Sequence, residues 1–256
     1  MPFLFASCGL RKLSVGALGL ALAASAAAQA AGSQAAVDEA WRFQLTPYVW
    51  MTGLDGHVQP FKEAPTAHVD KSFSDVLRNL KAAVFLTGTA RKGPWVLHGD
   101  LSHASTADGA SLPLGLSADA RVRQTSMTLA GGRNWQQGAS SVDLLGGLRL
   151  WDIHARVNVS GLASARSDTS FTDPIIAARW RYALAPQWSS LVYVDAGGFG
   201  VGSDSTWQVL GTLNYQWREN VYLSLGYRHL RVNYRSDGKH LDFSQGGPLL
   251  GATFRF

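Results

Sequence analysis

The stretch "GPLLGATFRF" occupies residues 247–256. Leu250, Ala252, Phe254 and Phe256 share one parity; Leu249, Gly251, Thr253 and Arg255 share the other. Strand side chains alternate between two faces, so this is a strand with one apolar face and one mixed face. Chain ends are normally polar and frayed. A bare Phe at the end, with a second Phe two places before it, predicts a strand paired to its last residue and set against something apolar. Lipid outside and a polar lumen inside satisfy both faces.

The beginning of the sequence supports that setting. Arg11 and Lys12 precede an apolar stretch from Leu13 to Ala28, and Ala28-Gln29-Ala30 fits an A-x-A cleavage site. Residues 1–30 therefore read as a cleaved signal peptide, 31–40 as a short flexible segment and 41–256 as the folded part. Cys8, the single cysteine, falls in the signal segment, which leaves no disulfide and no thiolate metal site beyond it. The net charge is +5, two units of it from Arg11 and Lys12, and the charges are scattered. That excludes a basic patch of the nucleic-acid-binding kind. Hydrophobic residues make up 46 % of the chain, yet no run after residue 30 is long enough for a membrane helix.

Alternation recurs over about 42–54, 80–91, 94–104, 119–134, 140–155, 172–184, 188–199, 205–217, 220–235 and 243–256. These segments exceed the five or six residues usual in soluble strands and suit strands tilted through a bilayer. The breaks alternate in kind. "RKGP" (91–94), "WQQGAS" (135–140), "ALAPQ" (183–187) and "RENV" (218–221) are tight, whereas 55–79, 105–118, 156–171, 200–204 and 236–242 are longer. Short turns on one side and longer loops on the other describe an all-β, transmembrane, antiparallel up-and-down barrel of ten strands, with eight as the alternative. Both chain ends then lie on the turn side.

Aromatic placement follows the same plan. Trp95, Trp135, Trp180, Tyr182, Trp188, Tyr215, Trp217 and Tyr222 all lie close to the tight turns, as a membrane-interface ring requires. Tyr48, Trp50, Trp151, Phe199 and Trp207 lie nearer the loops and are candidates for the opposite ring.

Parity places Asp100, Asp143, Asp173 and Asp195 inside, with Arg149, Arg179, Arg181, Arg228 and Arg255. Charges in a small lumen need partners, so this set predicts an ionic network that fixes register and fills the barrel; a selective pore lining is the other reading. A barrel of this size is barely wider than an eight-stranded one, whose side chains just fill it. Arg121 and Arg123 share parity with outward Met127 and Leu129. Either a bulge shifts the register there or the arginines stand above the membrane; the second is expected.

The chain also resembles the uncharacterised small outer-membrane β-barrel proteins of proteobacteria. The resemblance rests on "TPYVWMTGLDG" (46–56), "FSDVLRNL" (73–80), "GDLSHA" (99–104), "DPIIAARWRYALAPQW" (173–188), "DAGGFGVGSDSTWQ" (195–208), "YRHLRVNY" (227–234) and "GPLLGATFRF" (247–256). It implies a location, the outer membrane of a Gram-negative bacterium, and a fold, but no chemistry. It further implies that Phe254 and Phe256 belong to the signal read by the barrel assembly machinery. Outer-membrane lipid and that machinery are the expected partners of a monomer, and no nucleic acid or cofactor is expected.

In "DKSFSDVLRNL" (70–80), Ser72 or Ser74 can cap a short helix whose Phe73, Val76, Leu77 and Leu80 fall at helical spacing. Such a segment either folds over the barrel mouth or packs on its own rim. His103 with Ser105, His154, His229 and His240 fall near the loop-side rim, where a hydrolase would keep its catalytic groups. No G-x-S-x-G or H-E-x-x-H motif accompanies them, and His57, His68 and His240 lack metal-ligand spacing. The expected function is a structural or ligand-binding barrel with a largely plugged lumen. A narrow solute channel is the alternative, with a lipid or peptide hydrolase behind it.

Overall fold

The computed structural model describes residues 40–59, 66–111, 117–159, 163–236 and 238–256. Residues 1–30, expected to be a signal peptide, and all but the last residue of 31–40 lie outside the described residues. Twelve strands and one helix follow in order: β1 (Arg42–Trp50), β2 (Gly53–Gln59), β3 (Ala67–Lys71), α1 (Phe73–Asn79), β4 (Leu80–Lys92), β5 (Trp95–Ser111), β6 (Ser117–Gln137), β7 (Ser140–Val159), β8 (Ala163–Ala185), β9 (Trp188–Gly197), β10 (Ser205–Arg218), β11 (Val221–Ser236) and β12 (Lys239–Arg255). Ten of the strands close into an antiparallel barrel in the order β1-β4-β5-β6-β7-β8-β9-β10-β11-β12, with β12 pairing back onto β1.

Closure accounts for the terminal aromatic. Phe43 N donates to Phe256 O at 3.1 Å, and Phe256 N donates to Phe43 O at 3.0 Å. The last residue is thus held by the first strand, and its ring faces outward, 74 % exposed. All four tight turns shrink to two residues, and Gly93 and Gly138 supply the left-handed backbone that two of them need (φ 54° and 56°).

The strands reach further than alternation alone predicted. Residues expected as loops at 105–118 and 156–171 are mostly strand: β5 pairs β6 out to Ser111↔Ser117, and β7 pairs β8 out to Val159↔Ala163. Their Ser, Ala and Gly content hides strand character in the sequence. Once a tight turn fixes the register, the backbone ladder extends past the bilayer without needing apolar side chains. β6 to β8 span 20–23 residues, about twice the length a membrane crossing requires. β6 keeps its register with both neighbours throughout, so no bulge explains Arg121 and Arg123. They continue the outward face beyond the apolar belt.

The long first loop also has structure. β2 prolongs β1 against β12 in an unchanged register after a break at Met51–Thr52, and β3 pairs back onto β2. Ser72 caps α1 in a reciprocal box with Asp75. The helix packs on β2, β3 and β5 and has no buried residue, so it sits on the rim rather than in the lumen. Among the described residues no helix is long and apolar enough to cross a membrane.

Candidate functional site: the barrel lumen

Outward positions carry the apolar belt. Leu97, Leu129, Leu144, Leu148, Leu150, Ile176, Val209, Leu213, Leu225 and Leu250 are all exposed. On β6 the belt runs from Trp135 to Met127, about 27 Å along the strand at ~3.4 Å per residue. After tilt this matches the ~25 Å apolar band of outer-membrane barrels. Trp95, Trp135, Trp180, Tyr182, Trp188 and Trp217 are exposed at its turn-side edge, and Tyr215 joins them through ring contact with Trp188 (4.9 Å).

Four aromatic assignments are corrected. Tyr222 shares parity with inward Ser224, and its ring lies under the Arg255 guanidinium, 3.8 Å from it. It is a lumen residue, and its neighbour Leu223 is the one that faces out, 45 % exposed. Tyr48, Trp50 and Trp151 also point inward, and the latter two are 4 % and 2 % exposed. Closeness to a loop in sequence does not override parity. Phe199 and Trp207 do face out.

Inside, the expected charges fall into two clusters and three separate roles. In the first cluster Asp143 receives both terminal nitrogens of Arg91 (2.9 and 2.7 Å), Nε of Arg179 (2.7 Å) and Nδ2 of Asn134 (2.6 Å). In the second, Arg149 forms a two-pronged pair with Asp195 (3.1 and 2.6 Å) and gives Nε to Thr128 (3.0 Å). Gln208 bridges onward. Its Nε2 donates to Asp195 (3.2 Å), and its Oε1 accepts Nε of Arg228 (2.8 Å). Arg228 then meets Asp100 (3.1 Å) and the Tyr48 hydroxyl, which itself donates to Asp100 (3.0 Å). The Arg228 guanidinium also lies over the Trp50 ring at 4.6 Å. These contacts make one chain from β7 through β9, β10 and β11 to β5 and β1.

Asp173, Arg181 and Arg255 are inside but belong to neither cluster. Asp173, fully buried, accepts Ser203 N at 2.6 Å and so anchors the glycine-rich loop 198–204. That loop passes close enough to β8 that a Cβ on Gly202 would lie 2.3 Å from Thr172 O. Phe199, at φ 48°, is the one described non-glycine residue with positive φ. Arg181 reaches Gln44 Oε1 at 3.4 Å, and Arg255 gives Nη1 to the Tyr222 hydroxyl at 2.6 Å. Arg91 was missed because 91–94 read as turn, although parity counted from Thr89 would have found it; Asn134, at the end of the segment 119–134, was missed because it carries no charge.

On the loop side of this network the lumen is apolar. Trp50, Trp151, Leu230, Val232, Tyr234, Leu241, Phe243 and Leu249 form one buried cluster. Within the same stretch of β12, between Phe243 and Leu249, Gln245 hydrogen-bonds Gln124 across the lumen at 3.0 Å. On the turn side the wall is Thr, Ser and Gly-rich, and two neighbouring spaces remain. The inner one, between the network and Arg255, gives water-sized molecules about 120 Å³. The outer one is a vestibule of about 440 Å³. Both are walled by Gln44, Arg181 and Arg255.

The rim histidines take separate partners. His154 Nδ1 lies 2.5 Å from Asp168 and Nε2 lies 3.1 Å from Asp152, on the outward face. These carboxylates hold its pKa above the ordinary imidazole value, the Asp168 hydrogen bond being the larger cause. The register runs Ser105↔Arg123↔His154, so Ser105 stands two strands away, about 10 Å at ~4.8 Å per strand. His103 Nδ1 instead meets Thr125 (2.9 Å), and His240 Nε2 accepts from Arg235 (3.2 Å). His229 stacks on Trp207, with centroids 5.0 Å apart. Asp55, His68 and Asp70 bring ligand-type atoms within 4.8 Å of one another across β2 and β3, and His57 packs on His68. Spacing in sequence could not reveal this group, because pairing creates it; all three residues are exposed.

Just above the belt the outward face turns basic. Arg121, Arg156 and Arg166 stand directly opposite one another on β6, β7 and β8, with Arg123 beside them and Arg166 paired to Asp168 at 2.7 Å.

No protein-family model matches the sequence, and neither does any curated protein. Solved structures do match in fold. The outer membrane protease OmpT from Escherichia coli is similar with a TM-score of 0.50 at 8 % identity, over 88 % of this chain and 99 % of that one. The translocator domain of the autotransporter NalP from Neisseria meningitidis gives 0.47 at 13 % identity, over 92 % and 98 %. Identity this low shows the fold alone. The chain has the closed ten-stranded fold of the small bacterial outer-membrane β-barrels.

Proposed function

We propose that this protein is a structural and ligand-binding outer-membrane barrel whose lumen does not conduct. The observation that carries the reading is the continuous chain Arg149–Asp195–Gln208–Arg228–Asp100–Tyr48, lying under the buried aromatic cluster. A conducting path would have to break charged pairs that lie out of water, and removing a partner from such a pair costs about 3–5 kcal/mol. Purified protein in planar bilayers tests this: no steady unitary conductance is expected, and reproducible single-channel steps would overturn the reading.

A hydrolytic role is disfavoured by the separation of Ser105 from His154 and by the outward position of that histidine. Lipid or peptide incubated with the same preparation is expected to remain intact. Outer-leaflet lipid is the proposed partner of the outer wall. Like charges placed opposite on neighbouring strands destabilise a sheet, and lipid phosphates at that level would relieve the Arg121, Arg156 and Arg166 row. Phe254 and Phe256 are proposed to engage the assembly machinery as the exposed edge of the last strand.

A further inference from the structure

The turn-side cavity has a wall of hydrogen-bond donors that its acids do not answer. Arg228 occupies Asp100, and Arg91 with Arg179 occupies Asp143. Arg181 is left with the 3.4 Å contact to Gln44. Its strongest charged neighbours are Arg179, Arg255 and Arg91, with Asp143 the acid among them. Arg255 spends Nη1 on Tyr222, while its buried Nε has no partner. Arg179 is 5 % exposed; its Nε and Nη1 are bonded, and its Nη2 is buried without a partner. All three residues border the same space.

Arg181 and Arg255, half-buried, have no carboxylate partner among the described residues, and cations drawn out of water without a counter-charge are unfavourable. Guanidinium forks match the two oxygens of a carboxylate or phosphate. Thr46, Thr212 and Ser224 add hydroxyls around the same cavity. The loop-side end is blocked by Arg228 with Asp100, whereas Gln44, Arg181 and Arg255 at the other end also wall the vestibule, where Arg42 and Arg91 continue the basic lining.

We propose that the turn-side cavity is a binding site for a small oxyanion, a carboxylate or phosphate group held by Arg179, Arg181 and Arg255, with the rest of the ligand in the vestibule. The site deepens the ligand-binding part of the reading above and rests on that part, not on the lumen being closed.

The test is calorimetric titration of the full chain, refolded in neutral detergent, with inorganic phosphate and separately with succinate. Saturable binding of at least one anion is expected. Arg181→Gln should weaken it by at least about tenfold, the loss of one charge-assisted contact. The Arg181→Gln/Arg255→Gln double variant should abolish it. Arg231→Gln, at the exposed rim pair with Asp242, should leave it unchanged. The same anion should raise the unfolding temperature of the parent chain and not of the double variant. Unboiled gel mobility confirms that each variant folds. If the double variant does not fold, Arg181→Lys decides, because it keeps the charge but loses the fork and should weaken binding. Absence of saturable binding to both anions, or equal binding by the variants, overturns the site. The bilayer measurement is independent. No binding with no conductance removes the site and leaves the closed barrel; binding together with steady conductance keeps the site and removes the closed lumen.

Discussion

The loop-side and turn-side halves of the lumen come from the same alternating strands and are filled in opposite ways. The loop-side half carries Trp, Phe, Tyr and Leu at its inward positions, which meet across the axis in one buried cluster. The turn-side half carries Thr, Ser, Gly and Arg, whose short or forked side chains leave space between them. Between the halves lies the charge chain that links Arg149 to Tyr48. A barrel of ten strands is thus wide enough to need large side chains for closure, and where the sequence supplies small ones a cavity remains. One half is closed by packing, and the other leaves the cavity proposed above as an anion site.

The largest effect should come from the boundary between the halves. Arg149→Met leaves Asp195 buried without its two-pronged partner, and a loss of about 3–5 kcal/mol is expected, read by urea unfolding of the refolded barrel in vesicles. A loss below 1 kcal/mol would mean that water reaches the pair, and the halves would then not be separated. Next comes the apolar half. Leu230, 1 % exposed, should cost about 2–5 kcal/mol when cut to Ala; a near-neutral change would show a loose, hydrated cluster.

Cysteine placement sharpens the same contrast without an energy scale. The sequence contains no cysteine beyond Cys8. Thr253→Cys, on the cavity wall, should react in the folded barrel with a small charged thiol reagent. Phe243→Cys, in the apolar cluster and 6 % exposed before substitution, should stay protected until unfolding. Equal reactivity would erase the distinction.

The smallest effect lies outside the lumen, at the rim. Asp168 and Asp152 favour the protonated form of His154, and its hydrogen bond lowers the pKa of Asp168 in turn. Arg123 and Arg166 are the neighbouring cations. The contribution of His154 is fully present below the ordinary imidazole pKa and fades as pH rises through the raised value. The contribution of Asp168 is present above the ordinary carboxylate pKa and fades as pH falls through the lowered one. The pair therefore persists between those limits, with little effect on global stability because both groups are exposed. A proton NMR titration should place the His154 midpoint above the ordinary imidazole value, and Asp168→Asn should bring it down. A parent midpoint at the ordinary value would remove the pair.

Sequence by itself determined the alternation, and with it the barrel, the ten-strand count, the turn side and the facing of nearly every side chain. The period of two is a local property of the backbone, so Leu213 outside and Arg228 inside are legible one strand at a time. Tyr222 was assigned to the interface from its nearness to a tight turn, and the structure instead sets it inside against Arg255. What parity could not supply is partnership. Asp173 sits beside Arg149 in the register of β7 and β8, yet it holds Ser203, while Arg149 pairs with Asp195 on β9. Arg228 finds Asp100 on the far side of β12, β1 and β4. Arg181, indistinguishable in sequence from the other inward arginines, is left facing the cavity. Those outcomes depend on barrel closure and strand stagger, which decide the inward residues that share a level. Local alternation states which way a side chain points, and only the closed sheet decides what it meets there.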